Sequence, residues 1–157
     1  MLNHSELLEE ISSMLLDSDL FKHLSTPELR AAAHYFSVNN IAEDETIFEE
    51  GDIGNFMCIV HAGSVAVIKA NHNGELVQVA TLNHGRAFGE MAVLDGERRS
   101  ATCMAAEDSV LLTLSREALD QMLEEHPRIG ADVIRVIAVS LSRRLRMAVG
   151  QLVDHLV

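Results

Sequence analysis

A carboxylate and a guanidinium stand at opposite ends of one short glycine-bounded segment, residues 88–101, which reads FGEMAVLDGERRSA. Gly89 lets the backbone approach a ligand closely, because it has no Cβ. The Glu90 carboxylate can accept hydrogen bonds from sugar hydroxyls, and the Arg99 guanidinium offers a planar fork of donors that matches phosphate oxygens. The segment therefore predicts a loop that binds a small ligand carrying both hydroxyl groups and a phosphate.

Each part of this segment also has an ordinary structural explanation. Phe-Gly-Glu is a common tripeptide, and an Arg98-Arg99 pair after Gly-Glu is typical of a solvated turn. The binding interpretation depends on the two parts occurring together.

Length, composition and charge favour one domain that does not bind polyanions. The chain has 157 residues, of which 48% are hydrophobic, so it can bury one core, and we expect a single domain over residues 1–157. The formal net charge of -12 argues against direct DNA binding, which requires Lys and Arg to neutralise phosphates.

The N-terminus predicts neither a signal peptide nor a membrane span. It mixes acidic residues into its apolar positions and has no basic leading region. We therefore expect a cytoplasmic protein without membrane contact.

Cys58 and Cys103 lie in apolar, strand-like surroundings, where reduced core thiols are expected, although the sequence does not exclude a disulfide between them.

Periodicity divides the chain into three regions. Helices are predicted in residues 1–40, the first over about 6–16 and the second capped by Thr26 with Pro27 at its first position. Residues 41–114 read as short β-strands, and residues 115–157 as helices again, with Ser115 as a cap and a break at His126-Pro127.

The central region predicts a jelly roll. Six short strands are indicated, at residues 46–48, 57–61, 65–69, 76–82, 102–105 and 110–114. The turns between them are marked by Gly51-Asp52, Ala62-Gly63, Asn73-Gly74, His84-Gly85 and Asp95-Gly96. Many short strands at regular spacing are typical of a jelly roll or barrel-like sandwich.

The final helix predicts a homodimer. From residue 128 to the chain end it would be about 45 Å long, which exceeds what one small barrel covers. Its apolar residues recur at alternating steps of four and three, as in a heptad seam, at Ile134, Ala138, Leu141, Leu145, Ala148 and Leu152. The alternative is that the stripe packs only on its own barrel, as we expect for its first turns.

The segment 87–101 resembles the phosphate-binding cassette of the cyclic nucleotide-binding domain family, which includes catabolite activators and the regulatory subunits of cyclic-AMP-dependent protein kinase. The family pattern, Phe-Gly-Glu, small or apolar residues, then Arg-Ser/Thr/Ala-Ala, is met at Phe88, Gly89, Glu90, Ala92, Leu94, Arg99, Ser100 and Ala101. One departure is Arg98, where many members have proline. The glycine turns fall in the family's order, so the resemblance covers nearly the whole chain.

The resemblance implies a mainly β, α+β fold, in which a jelly-roll β-barrel is flanked by N-terminal helices and a long C-terminal helix. It implies that a short helix follows Gly89, that Arg99, Ser100 and the Ala101 N–H bind a cyclic phosphate, and that Glu90 with the Gly89 backbone holds the ribose 2'-hydroxyl. We also expect the Glu90 and Arg99 charges to compensate each other partly when the site is empty. The predicted ligand-binding residues are Phe88, Gly89, Glu90, Met91, Ala92, Arg99, Ser100 and Ala101.

Cyclic AMP is the first expected ligand, followed by cyclic GMP or a weakly discriminating pocket. The Thr-Ser pair with which catabolite activators contact adenine aligns with Ala148 and Val149, which cannot hydrogen-bond through their side chains. No other cofactor is implied.

Other chemistry is not indicated. The chain carries no recognisable nucleophile set, Walker loop or pair of catalytic carboxylates. His61, His72 and His84 are far apart in sequence, so no metal site is predicted, and the basic cluster Arg143, Arg144 and Arg146 reads as a solvated flank that neutralises an acidic neighbour.

The function expected from the resemblance is a non-catalytic cyclic nucleotide sensor that signals through its last helix to a dimer or an effector protein. The alternatives are a fragment of a transcription regulator that lacks its DNA-binding domain, a scaffold with a vestigial site and, weakest, a cupin-like enzyme.

Overall fold

The chain folds into a β-roll covered on one side by helices, the expected mainly β, α+β architecture. The computed structural model describes the backbone of residues 2–156 and the side chains of residues 2–153. Predictions that involve Met1, Val157 or the side chains of residues 154–156 lie outside this part.

Eight strands and five helices follow one another in the described chain. The helices are α1 (His4–Leu16), α2 (Thr26–Ala33), α3 (Glu90–Asp95), α4 (Arg116–Glu125) and α5 (Pro127–Leu156). The strands are β1 (Ser37–Ile41), β2 (Thr46–Phe48), β3 (Phe56–Ala62), β4 (Val65–Ala70), β5 (Leu76–Leu82), β6 (Ala87–Phe88), β7 (Thr102–Ala105) and β8 (Ser109–Ser115).

Two four-stranded antiparallel sheets form the roll, in the orders β1-β8-β3-β6 and β2-β7-β4-β5. All six predicted strands are present within one residue of their expected ends, and the glycine of each predicted turn has a positive φ. β1 and β6 were not predicted, and β1 crosses the predicted boundary at residue 40.

Strand β3 shows how two cores share one sheet. Cys58 and Val60 face the inside of the roll, whereas Met57 and Ile59 face a second core formed with the helices. Successive side chains of a strand point to opposite faces, so a strand between two cores must be apolar on both faces. This is why β3 reads as a continuous apolar run.

The helix ends follow their sequence signals with one correction. α2 is capped by Ser25 rather than Thr26, because Ser25 and Glu28 form a reciprocal capping box. This shift makes Thr26 the first helical residue and Pro27 the second. Ser115 caps α4 as predicted, its hydroxyl accepting a hydrogen bond from the Ala118 N–H.

The 30-residue helix α5 divides into a packed half and an exposed half. Val133 and Ile137 are fully buried against the other helices and the sheet, and the predicted seam residues Ile134 and Leu141 are half-buried. Residues 142–153 are all exposed, including the seam residues Leu145, Ala148 and Leu152. The first turns thus pack on their own barrel, while an apolar stripe continues over residues 142–153 without a partner among the described residues.

Candidate ligand-binding site

One cavity of about 540 Å³ brings the predicted site residues together. We call it the cassette cavity. All eight predicted residues line it, together with residues of the roll and of α5. Its lining consists of Phe48, Val67, Leu82, Arg86, Ala87, Phe88, Gly89, Glu90, Met91, Ala92, Arg98, Arg99, Ser100, Ala101, Cys103, Leu141, Arg144 and Leu145.

Arg99 is held rigidly at the wall of this cavity, with only 5% of its surface exposed. Its two terminal nitrogens donate to the backbone carbonyls of Phe56 (2.7 Å) and Gly89 (3.2 Å). The guanidinium carbon lies 3.9 Å from the centre of the Phe48 ring and 4.6 Å from that of Phe56. Such cation–π contacts and two fixed hydrogen bonds leave the guanidinium little rotational freedom.

The Arg99 guanidinium has no carboxylate partner among the described residues. Removal from water lowers its pKa from the ordinary value, because burial disfavours the charged form. Arginine nevertheless stays protonated in proteins. The site therefore holds a buried positive charge. The N–H donors of Arg99 that are not bound to carbonyls suit an anion.

Two glycines make room for this guanidinium. Gly89 caps α3 in the left-handed region (φ 75°), and a Cβ there would lie 2.7 Å from Arg99 Nη1. Gly54, which no sequence motif marks, leaves even less room, because a Cβ there would lie 2.2 Å from the Ala92 Cβ and 2.9 Å from Arg99 Nε. Both positions require glycine for close packing around Arg99.

Glu90 is also buried, with 2% of its surface exposed. Its Oε1 forms an ion pair with Arg144 of α5, although it has no hydrogen bond of regular geometry in the described structure. Arg144 also donates to the Ala87 carbonyl at 3.4 Å. The expected charge compensation between Glu90 and Arg99 is wrong, because Arg144 is the counter-ion of Glu90 and Arg99 bonds to carbonyls.

The remaining predicted residues surround these two charges. Phe88 and Ala92 are buried, Met91 and Ser100 are exposed, and Ala101 is half-buried. The Ser100 carbonyl accepts a 2.7 Å hydrogen bond from Lys69, which fixes the chain immediately after Arg99. The short helix expected after Gly89 is α3, and its first turn has no side-chain cap.

Helix α5 supplies wall residues that sequence reasoning did not assign to the site, namely Leu141, Arg144 and Leu145. The sequence pattern predicts Leu145 in the dimer seam and Arg144 in a solvated flank that neutralises an unspecified acidic neighbour. That neighbour is Glu90. The only sequence signal was a pair of arginines interrupting the apolar stripe, which does not reveal the partner.

The cavity is electropositive although the chain is acidic overall. Four arginines line it, Arg86, Arg98, Arg99 and Arg144, against a single lining acid, Glu90. Burial and, to a smaller extent, the nearby Arg86 lower the pKa of Arg144. The rest of the wall is largely apolar. This combination suits an anionic ligand that also presents apolar surface.

The two residues that align with the adenine-contacting Thr-Ser pair of catabolite activators lie outside the cavity. Ala148 and Val149 are exposed and are not among its lining residues. The α5 residues that do line it lie one to two turns earlier. Contacts to a base from this part of α5 would be apolar, apart from Arg144.

Both cysteines are free and buried near the guanidinium of Arg99. Burial raises the pKa of each thiol to about 12, a shift that nearby Arg99 partly opposes. Thiols of this kind are unreactive core residues at neutral pH.

No helix among the described residues is long and apolar enough to span a bilayer.

Comparison with known proteins identifies the family. The model of the cyclic nucleotide-binding domain matches residues 38–126, more than half of the chain. The Cyclic AMP receptor protein of Thermus thermophilus is 34% identical over 131 residues, covering 83% of this chain and 59% of that protein. A cAMP-dependent protein kinase regulatory subunit of Blastocladiella emersonii is 27% identical over 117 residues, covering 74% of this chain and 29% of that protein.

The chain thus spans less than two thirds of these curated relatives. Among solved structures, a cyclic nucleotide-binding domain from Methylobacillus flagellatus superposes with a TM-score of 0.81 at 30% identity, over 94% of this chain and 83% of that one. The matched segment contains Gly89, Glu90 and Arg99, the residues around which the cavity is built. The chain belongs to the cyclic nucleotide-binding domain family.

Proposed function

We propose that the cassette cavity binds a cyclic nucleotide, cyclic AMP in first place, and that the chain is a non-catalytic sensor which transmits binding through α5. The observation that carries this proposal is the convergence of a buried Glu90 and a buried Arg99 on one electropositive cavity. Family membership and the cyclic AMP receptor among the relatives support it.

Arg99 binds the cyclic phosphate in this proposal. Its guanidinium is already oriented by two carbonyls and two aromatic rings, so little side-chain entropy is lost when an anion binds. A charge-assisted hydrogen bond from arginine to phosphate is about twice as strong as a neutral one. Ser100 and the Ala101 N–H follow directly in the chain and complete the phosphate contacts.

Glu90 holds the ribose. A carboxylate accepts hydrogen bonds from hydroxyl groups, and the Glu90 side chain lines the same cavity as Arg99. Because Arg144 neutralises Glu90, the carboxylate does not strongly repel the phosphate of an incoming ligand. Gly89 lets the backbone approach the sugar.

Arg144 couples the site to α5. A ribose hydroxyl that binds Glu90 must share or replace the contact between Arg144 and this carboxylate. Either outcome changes the force that holds α5 against the cassette. A ligand shifts the position of the helix only by its differential affinity for the two positions, and the Glu90–Arg144 pair is where that difference arises.

The base contacts the apolar part of the wall. Val67, Leu82, Leu141 and Leu145 offer surface for a purine ring but no hydrogen-bonding side chain. Cyclic AMP is preferred because the name of the Thermus thermophilus relative specifies it. Cyclic GMP follows, since apolar contacts discriminate weakly between purines.

The exposed half of α5 provides the output surface. Leu145, Val149 and Leu152 recur at helical spacing and are all exposed. We propose that this stripe pairs with the same helix of a second copy, with an effector protein as the other expected partner. We still expect that the module itself does not contact DNA, although Arg143, Arg144 and Arg146 lie nearby. A cytoplasmic location stays a prediction.

Calorimetric titration of the protein with cyclic AMP, cyclic GMP, 5'-AMP and adenosine tests the proposal. We expect one site per chain, with cyclic AMP at least about tenfold tighter than adenosine, a difference of about 1.4 kcal/mol. Adenosine binding equal to that of cyclic AMP, or no binding of any nucleotide, would contradict it.

A further inference from the structure

Three side chains of types that can bind metal ions lie close together outside the cassette cavity. They are Asp17 at the end of α1, His61 near the end of β3 and His84 in the turn between β5 and β6. One ligand atom from each lies within 4.8 Å of the other two. We call this group the Asp17–His61–His84 cluster.

The fold creates this proximity, which the sequence spacing does not indicate. The turn after β5 returns to β3, where the Gly85 N–H donates to the Val60 carbonyl at 2.7 Å. The Asp19 N–H donates to the Gly85 carbonyl at 3.0 Å, which ties the end of α1 to the same turn. Backbone hydrogen bonds therefore hold all three ligand-bearing segments together.

His84 is oriented like a metal ligand. Its Nδ1 lies 2.6 Å from the His61 carbonyl oxygen, and because a carbonyl only accepts, Nδ1 is the protonated nitrogen. A backbone carbonyl bound to one ring nitrogen fixes the tautomer of many metal-binding histidines. The other nitrogen, Nε2, then faces Asp17 Oδ2 at 3.0 Å. Two acceptors at this distance require a second proton or a cation between them.

His61 supplies an independent observation. Its Nδ1 is buried and has no hydrogen-bond partner in the described structure. A buried nitrogen without a partner is destabilising by about 1–3 kcal/mol, so such atoms are rare in folded proteins. Its ring centre lies 5.8 Å from that of His84, with the planes tilted by 59°, so the two rings are not stacked.

We propose that Asp17, His61 and His84 bind one divalent transition-metal ion, of which Zn²⁺ fits best, with water completing a tetrahedral site. Two imidazoles and one carboxylate favour Zn²⁺ over Mg²⁺ or Ca²⁺, which prefer oxygen ligands. Zinc bonds of about 2.0–2.2 Å place tetrahedral ligand atoms about 3.3 Å apart. The cluster needs only small side-chain rotations to reach this spacing, because Asp17 and His84 are exposed.

The bound ion joins the N-terminal helices to the roll. It connects the end of α1, strand β3 and the turn that leads into Arg86 and β6, immediately before the cassette. It thereby fixes the start of β6 and stabilises the folded chain by mass action, since the unfolded chain does not hold the three ligands together.

The test uses protein produced without a polyhistidine tag, treated with a chelator and titrated with ZnCl₂ by calorimetry. We expect one ion per chain and a higher melting temperature with zinc. Cobalt substitution should give the strong visible absorption of a tetrahedral site. His84→Ala and Asp17→Asn should each weaken zinc binding at least about tenfold, since even the loss of a group that only hydrogen-bonds to a ligand typically costs about 10–100-fold in metal affinity.

His72→Ala is the matched control, because His72 is exposed and lies outside the cluster. His84→Ala changes an exposed side chain, so the fold should persist, which circular dichroism checks. His61→Ala should also abolish tetrahedral cobalt absorption. Absence of zinc binding in the untagged protein, or binding that survives unchanged in His84→Ala and Asp17→Asn, would overturn the proposal.

Discussion

Replacing Arg99 by alanine should weaken cyclic nucleotide binding more than any other single change in the cavity. The substitution removes a buried guanidinium that has no carboxylate partner among the described residues and that two backbone carbonyls hold in place. Arg86, Arg98 and Arg144 remain, but they are exposed or bound to other groups. They cannot take the place of Arg99 between the Phe48 and Phe56 rings.

The expected loss is about 2–5 kcal/mol, the range for truncating one member of a desolvated, hydrogen-bonded charge pair. At about 1.4 kcal/mol for each factor of ten, this corresponds to an affinity loss of about thirtyfold to four-thousandfold. The affinity of an Arg99→Lys variant for the cyclic nucleotide should lie between those of the original protein and the Arg99→Ala variant. Lysine keeps the positive charge but lacks the planar fork of donors.

Calorimetric titration of the original protein and both variants with cyclic AMP measures this difference. The alanine variant also leaves the Phe56 and Gly89 carbonyls without their donor, so we expect a lower melting temperature and titrate well below it. Arg30→Ala is the control, since Arg30 is exposed and pairs with Glu9 outside the cavity. A folded Arg99→Ala variant that binds cyclic AMP as tightly as the control would refute the reasoning.

Three further predictions follow from the same structure. Arg144→Ala leaves the buried Glu90 carboxylate without its counter-ion, so cyclic AMP should bind more weakly and should no longer change the hydrogen–deuterium exchange of α5. If cyclic AMP changes the exchange of α5 in this variant as it does in the original protein, the proposed coupling is contradicted. Because burial raises the pKa of Cys58 and Cys103 to about 12, both thiols stay protonated at pH 8, and Ellman's reagent should modify neither in the folded protein but both in guanidinium chloride; rapid modification of the folded protein would count against the assigned burial. Leu152→Lys should convert the proposed dimer to a monomer in light scattering, since 60% of the Leu152 surface is exposed on the apolar stripe, whereas Gln151→Lys should not; a monomeric original protein would exclude the dimer.

Local sequence signals sufficed for most of the fold. The strands with alternating or continuous apolar residues and the glycine turns were predicted within a residue, because their conformation is favoured by the residues themselves. Strand β1 was missed because its sequence, SVNNI, is polar in the middle, and its extended shape comes from pairing with β8. β6 has only two residues and exists through its bonds to β3.

The residues predicted to bind the ligand lie around one cavity, and their binding role stays a prediction, whereas the charge pairing expected among them is wrong. The motif and the family resemblance place Gly89, Glu90 and Arg99 in one expected site, and all three line the cassette cavity. The identity of the Glu90 counter-ion depends on how α5 lies across the cassette, which a stripe of apolar residues does not specify. The same holds for His61 and His84, whose proximity arises only when the turn after β5 returns to β3.

The most direct test of the central claim is a crystal structure of the protein with cyclic AMP. We predict that the cyclic phosphate lies within hydrogen-bond distance of the Arg99 guanidinium and that the ribose 2'-hydroxyl contacts the Glu90 carboxylate. A nucleotide bound elsewhere, with Glu90 and Arg99 both free of it, would contradict the account.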